Sequence, residues 1–391
     1  MSGALKGIKV LEFAGLVPGP FCGMILADFG ASVIRIDSVG PPRFGMEADV
    51  LCRGKRSLAV DLKQPEGIEI IKRLVRSSNA IIEPFRPGVM EKLGLGPREL
   101  LSENPALVYA RISGYGQNGP LAKTAGHDIN YLAISGLLSM LGRKDAKPTP
   151  PVNLLADFAG GGLLCAFGIV AALLEQARSG QGQVLDSSLT EGAAYVGSWL
   201  YRSRDLDLLW PQKDQRGANL LDSGYALYDT YETKDGQWLA VGALEPQFAQ
   251  AFLKGLDADL SISDILSDPV AAKQRLELIM KSRTRDEWVK IFEGSDACCT
   301  PVLSPEEAPL HPQTQARGSF SDGRSPTPAP RLSGTPAAPL SETPNFSLIP
   351  GAHTRDILTE LSYSEIEIDQ LSELGIVKQQ PTDEAEPVSK L

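Results

Sequence analysis

The stretch IKVLEFAGLVPGPFCGMILADFGASVIRID, residues 8–37, decides the fold class. Its first six residues form a short apolar run of strand length. A turn carrying glycine and proline follows, then an apolar run from Gly19 to Gly30 that reads as a helix, then a second strand, ASVIRID. Strand, helix and strand in this order form the opening of a parallel α/β sheet. The unit imitates a dinucleotide fold as far as Asp37. Its glycines, however, stand at positions 15, 19 and 23, four apart, and not in the G-x-G-x-x-G pattern. Pro18 and Pro20 also lack the backbone N–H groups that would cradle a pyrophosphate. We therefore read an ordinary βα turn and no NAD site.

The alternation continues outward from this unit. SLAVDL (57–62) reads as a third strand, and PEGIEIIKRLVRSS (65–78) as a helix, opened by Pro65 and apolar at helical spacing. AIIEPF (80–85) and LVYARISG (107–114) read as strands, with GVMEKLG between them, and QVLDSSL (183–189) as another, followed by a helix from Glu191. Such alternation implies a parallel sheet covered on both faces. Residues 202–222 lose clear periodicity. YALYDTYETKDGQWLAVGAL (225–244) reads as a hairpin around Lys234-Asp235-Gly236, with helical segments after it near 246–256 and 270–294. A Pro- and Ser-rich stretch, 325–347, must be extended. Two C-terminal helices follow, the second with Ser364 and Glu367 spaced for a capping box. The expected fold is thus α/β, a large Rossmann-like parallel-sheet domain plus a smaller α+β domain. The large domain covers 1–200 and is completed by 325–380, 201–222 is a connector, 223–318 is the smaller domain, and 381–391 is a flexible tail.

The totals bound the function. The 391 residues exceed what one core usually serves, consistent with two domains. A net charge of −10 argues against general nucleic-acid binding and against a basic membrane-surface role, but leaves room for a local basic cluster with an anionic ligand. The five cysteines lack metal-ligand spacing and suit a reducing compartment. No signal peptide is expected. FAGGGLLCAFGIVAALL (158–174) approaches the length of a membrane span, but its three leading glycines favour a buried core helix. Ser389-Lys390-Leu391, behind the acidic lead PTDEAEPV, reads as an address recognised by the peroxisomal import receptor. The expected location is the peroxisome, with mitochondrion or cytoplasm as further places.

Three residues invite chemistry. His127, in AGHDINY, is one of three histidines and the side chain whose ordinary titration lies nearest neutrality. On its own it serves equally as a buried histidine with one hydrogen bond. Asp157 lies near the start of the long apolar helix, where an aspartate is also favoured as a cap. Gly160-Gly161-Gly162 beside it would let the first turn approach something closely, and free N–H groups there could stabilise an enolate oxygen. Glu245 follows the second strand of the hairpin. Basic residues cluster early: Arg53, Lys55 and Arg56, then Lys63 and Arg86 after predicted parallel strands, where open α/β sheets bind ligands. They read either as a solvated surface or as a site for a phosphate-bearing ligand.

Several longer phrases carry a resemblance: GLVPGPFCGMILADFGASVIRID, RGKRSLAVDLKQPEG, EPFRPGVMEKLGLGP, YARISGYGQNGP, AGHDINYLAISG, NLLADFAGGGLLCAFGI, VGALEPQF and GSDACCTPVLSPEEA. In these the chain resembles the family III CoA-transferase superfamily over about residues 6–310, and within it the members that act as isomerases of 2-methylacyl-CoA thioesters. The resemblance implies the family III fold, an interlocked homodimer, and no metal or redox cofactor, CoA arriving as part of the substrate. It implies that His127 and Asp157 exchange the α-proton through an enolate and that Glu245 orients His127. It places CoA on Lys63, Arg86 and the backbone of Gly126, Asp128, Ile129, Asn130 and Tyr131. Ser38 stands where the family often has a basic residue, and LDSGYALY (221–228) departs from the usual pattern. The rival reading is a CoA transferase in which Asp157 is the nucleophile. A non-catalytic acyl-CoA binder would have no use for His127, Asp157 and Glu245 together.

Overall fold

Residues 3–41, 49–337 and 348–380 are described by a computed structural model of the chain. The expected peroxisomal tripeptide and part of the extended stretch lie outside them. Two compact units share the chain. The first comprises Met1–Ser135, Val152–Val196 and Pro328–Leu391, and the second Gly136–Pro151 and Gly197–Thr327.

The first unit is built on a seven-stranded sheet. Its strands are β1 (Lys9–Phe13), β2 (Ser32–Asp37), β3 (Lys55–Val60), β4 (Ala80–Glu83), β5 (Val108–Ser113), β6 (Gln183–Ser188) and β10 (Val377–Lys378). They lie in the order β10-β3-β2-β1-β4-β5-β6. All pairings are parallel except that of β10 with β3. The strand order reverses at β1, so the carboxyl ends of β1 and β4 flank the crevice where such sheets receive ligands. The backbones come close there: a Cβ on Gly15, just after β1, would sit 2.4 Å from the Pro84 ring, just after β4. The central strands are nearly continuous hydrophobic runs, as strands covered on both faces require. Leu11, Phe13, Ile34, Ile36, Leu58 and Ile81 join Ile70, Ile71 and Leu74 of the helix Pro65–Arg76 in one core.

The C-terminal segment closes this unit. Gly351 N–H donates to the Ser57 hydroxyl at 2.7 Å, and Ile357 and Leu358 of the helix Thr354–Glu360 enter the core. The helix Glu365–Glu373 begins with the expected capping box of Ser364 and Glu367. The short antiparallel β10 covers the β3 edge and carries too few residues to announce itself in sequence.

Three basic residues expected to face a phosphate pair with the protein's own carboxylates, Lys55 in the interior, Arg53 part-buried and Arg56 at the surface. Lys55 is fully buried, with Nζ 2.8 Å from Glu12 and donating to the Pro20 carbonyl at 2.9 Å. Burial pushes the Glu12 carboxyl up to about 7 against the opposing pull of Lys55. Arg53 pairs with Asp28 at 2.6 Å, and Arg56 with Glu360 at 2.5 Å. Lys55 is therefore no CoA contact, and the guanidinium groups of Arg53 and Arg56 are engaged in tying elements together.

The apolar stretch 154–179 is one helical run of two kinds. Leu154–Leu163 is wound as a π-helix, and Leu164–Ser179 continues as an α-helix. Among the described residues this run is long and apolar enough to cross a membrane by length and composition alone. One face packs in the unit through Cys165, Ala166, Ile169, Ala172 and Leu173. The triple glycine serves helix packing. A Cβ at Gly160 would lie 2.4 Å from the Ala193 nitrogen, and one at Gly162 2.8 Å from the Pro18 carbonyl oxygen. The approach is reciprocal, since a Cβ at Gly192 would meet the Gly160 oxygen at 1.8 Å.

In the second unit, β7 (Tyr228–Glu232), β8 (Trp238–Gly242) and β9 (Cys299–Pro301) form an antiparallel sheet, the first two joined as the expected hairpin. Its core gathers Tyr231, Leu239, Phe252, Leu276, Trp288 and Phe292. The single helical segment read near 270–294 is two helices, Pro269–Met280 and Arg285–Phe292, the second opened by a Thr284–Glu287 capping box. Residues 136–151, expected in the large domain, cluster with this unit instead. Leu137 packs on Gly197, and Arg143 donates to Asp229 and to the Thr230 hydroxyl. The supposed connector is also ordered here: Trp210 is buried and donates its indole N–H to Ser203 at 2.9 Å.

Gly192→Ala is expected to lower stability by about 1–3 kcal/mol, because backbone meets the new methyl and cannot rotate away. Gly334→Ala, where a Cβ meets nothing within 4 Å, is the control. Urea unfolding of both variants checks this, and equal stabilities would show that the helix contact is loose.

Candidate active site

His127 and Asp157 both belong to the first unit, beyond the carboxyl end of β5. The chain leaves β5 at Ser113 and reaches the helix Asp128–Ser135 after a loop. That loop is held by aromatic packing. Tyr131 donates to the Gly126 carbonyl at 2.5 Å and packs edge-on against Tyr115, ring centroids 5.1 Å apart. A Cβ at Gly114 would lie 2.2 Å from the Tyr131 ring, and one at Gly126 would lie 2.8 Å from it. Only glycine lets both backbone turns close on the ring.

His127 occupies the exposed entry to this helix. Its N–H donates to the Asn130 side-chain oxygen at 3.1 Å, and its carbonyl accepts from the Asn130 and Tyr131 nitrogens. The backbone is thereby fixed while the imidazole stays accessible, so the structural reading of a buried histidine fails. Asp157 is the opposite: it is only 6% exposed, within the first turns of the π-helix. The wider winding of a π-helix is uncommon and often accompanies function. Val152 and Asn153, just before it, have φ of 51° and 62°, so the chain enters through two residues in the left-handed region.

Burial lifts the Asp157 carboxyl from its ordinary range to about 6, and the negative charge of Asp128 adds to the rise. The Asn153 amide, donating at 3.0 Å, and the charge of His127 act in the other direction. The result is an acid close to the ordinary range of histidine, and the two groups feel each other electrostatically. Proton exchange near neutral pH needs such a match.

The other expected residues separate into groups. Arg86, exposed after β4 at the strand reversal, acts electrostatically on the Tyr131 phenol, which burial and Asp157 push up to about 12. Lys63 is exposed just beyond β3. Gly126, Ile129, Asn130 and Tyr131 surround His127 in sequence, and Ile129 is solvent-exposed. Asp128 was expected to offer only its backbone to CoA, and its side chain has a separate use. Its side chain is buried and accepts from the Ala156 and Asp157 nitrogens, so it is committed to the protein. The same bonds occupy two N–H groups of the helix start, so these two are not free for an enolate oxygen. Glu245 lies in the second unit, exposed, at the N-cap of the helix Pro246–Leu256 after β8. Asn153 was missed. Its signal was only its place four residues before Asp157, one helical turn away. Among the described residues, no group of three or more His, Cys, Asp or Glu could hold a metal ion.

Residues 5–354 match CoA-transferase family III, and the chain belongs to that family. It is 50% identical over 382 residues to alpha-methylacyl-CoA racemase of Mus musculus, across 96% of this chain and 97% of that protein. The racemase of Homo sapiens is 49% identical, across 96% and 98%. Succinyl-CoA:glutarate CoA-transferase of Homo sapiens is more distant, at 30% identity across 97% and 91%. A CAIB/BAIF family protein from Brucella suis superposes with a TM-score of 0.76 at 28% identity, over 92% of this chain and 100% of that one. The α/β architecture read from the sequence is thus the family III fold.

Asn153→Gly keeps the left-handed backbone accessible while removing the amide that favours the Asp157 carboxylate. The Asp157 titration is expected to move upward from about 6. Carboxyl NMR across pH 4–9, a window of about five units around that value, reads this directly. An unmoved or lowered titration would remove Asn153 from the site.

Proposed function

We propose that the chain interconverts (2R)- and (2S)-2-methylacyl-CoA thioesters, as the name of its half-identical relatives indicates for them. The observation that carries the proposal is the pairing of an accessible His127 with a buried Asp157 that titrates near 6 under the influence of His127. Epimerisation at the α-carbon breaks one C–H bond and forms another on the opposite face. The group acting as base takes the proton and leaves a planar enolate thioester, and the other group returns a proton from its own side. Neutral His127 with protonated Asp157 serves one direction, and imidazolium with carboxylate the other. Both protonation states are accessible at neutral pH only if the aspartate is raised, as it is here.

An anhydride-forming nucleophile has no need of a raised carboxyl pKa or of a second proton carrier, which disfavours CoA transfer. Among the described residues Arg86 and Lys63 take no part in ion pairs such as those of Arg53, Lys55 and Arg56, and they supply positive charge for the CoA phosphates at strand ends. Val152 and Leu154, both exposed, present apolar surface beside Asn153 for an acyl chain.

The active form is a homodimer. Leu163, Phe167, Val170 and Leu174 are exposed on the helical run at intervals that keep them on one stripe, with Phe167 69% exposed. An apolar face of this kind marks an interaction surface. In this reading Glu245 orients His127. The enzyme works in the peroxisome, addressed by Ser389-Lys390-Leu391, where it supplies branched acyl-CoAs in the configuration that β-oxidation accepts.

A (2R)-2-methylacyl-CoA in D₂O should lose its α-proton NMR signal and gain the (2S) form. His127→Ala and Asp157→Asn should each slow this by at least about 100-fold. CoA transfer to an added carboxylate, with no α-exchange, would make the protein a transferase. Phe167→Asp is expected to weaken the dimer, read as a lower mass in sedimentation at micromolar protein. A Phe167→Asp variant that stays dimeric would move the interface elsewhere.

A further inference from the structure

The two proton carriers come from distant parts of the chain, and one side chain joins them. Asp128 follows His127 directly and is 1% exposed. Its Oδ1 accepts from the Ala156 nitrogen at 2.7 Å and from the Asp157 nitrogen at 2.9 Å. Its Oδ2 is buried and accepts no hydrogen bond from the described residues. We propose that Asp128 is a positioning residue for proton transfer, clamping the backbone of Asp157 to the residue beside His127. The inference rests on the reading of His127 and Asp157 as the proton-transfer pair.

Two features separate this clamp from an ordinary helix cap. An N-cap residue bonds the helix that it begins, whereas Asp128 starts the helix Asp128–Ser135 and bonds the start of another, Leu154–Leu163. The clamp also has a charge to spare, because only one oxygen is used. That charge lies close enough to Asp157 to disfavour a second carboxylate, which raises the proton affinity of Asp157. One residue thereby fixes both the geometry of the pair and the pH at which one member titrates.

The remaining charged and titratable groups on the elements packed around Asp157 are accounted for. His127 opposes the rise, and the Tyr131 phenol lies on the clamp's own helix. The helix Leu189–Val196 carries Glu191 and Tyr195, both exposed. On the helix Pro18–Asp28, Asp28 is tied to Arg53 and Cys22 is buried against Cys165. Beyond Cys165 the continuing helix carries Glu175 and Arg178, paired with each other.

The test uses Asp128→Asn and Asp128→Ala in the full-length protein, with (2R)- and (2S)-2-methylacyl-CoA as probes. Asparagine keeps an oxygen for both backbone N–H groups and places its amide where no hydrogen bond is lost, but removes the charge. With less repulsion the Asp157 carboxylate is easier to form, so the limb of the kcat/KM profile that it sets should move to lower pH in both directions. Alanine removes the clamp, and kcat should fall about 10- to 100-fold with KM within about two-fold, with asparagine recovering most of the loss. Unfolding midpoints within a few degrees of the unsubstituted protein exclude simple misfolding, and the asparagine variant stands alone if alanine fails to fold. An Asp128→Asn profile superimposable on that of the unsubstituted enzyme, or full kcat in Asp128→Ala, overturns the proposal alone. Absence of α-proton exchange in the unsubstituted protein overturns the epimerase reading and this proposal with it.

Discussion

The site depends on one close contact of backbones. Gly160 and Gly192 bring the π-helical segment and the helix Leu189–Val196 together with no side chain between them, while Gly162 does the same against the helix Pro18–Asp28. Held on two sides, the segment cannot tilt, and the carboxyl of Asp157 is kept in the low-dielectric surroundings that raise its proton affinity. A carboxylate on a mobile surface helix would hydrate and return to its ordinary titration. Rigid packing is therefore the first condition for the chemistry, and the electrostatics follow from it.

The sheet shows where an acidic protein uses its cations. Lys55 is matched to Glu12, Arg111 to Glu83 and Glu91, and Arg35 to Asp37 and Asp49. Glu12 and Glu83 are both pushed up to about 7 by burial, against the pull of these partners. Removing one member of such a pair is costlier than never having had it, since the other is left charged and dry. Charge within the sheet thus fixes the register of elements, while Arg86 and Lys63 stand exposed just beyond strand ends.

Much of this was legible in residues. Alternating strand and helix patterns identified the parallel sheet, because buried strands and amphipathic helices differ in period as well as in composition. His127 and Asp157 were picked out together through the phrases around them, although neither stood out from its local setting, and in the structure the charge of His127 acts on Asp157. The cluster Arg53, Lys55, Arg56 misled, since a run of basic residues looks alike whether its partners are phosphates or distant carboxylates. Glu12 and Glu360 lie far from it in sequence. The triple glycine was correctly read as a close approach, but what it approaches was invisible before the helices were assembled. The side-chain role of Asp128 was invisible for the same reason: its partners are the Ala156 and Asp157 nitrogens, in another helix.

The path of the chain has a consequence for how the protein is made. Arg35, on β2, donates at 2.8 Å to the Leu348 carbonyl, 313 residues further on. The sheet that carries the site is begun by β1 and β2 and finished by β10, with the second unit made in between. Until β10 and the C-terminal helices arrive, β3 is an open edge and part of the core faces water, a state prone to association with other chains. A nascent chain therefore holds its largest sheet incomplete while the second unit is made, with the β3 edge needing cover meanwhile.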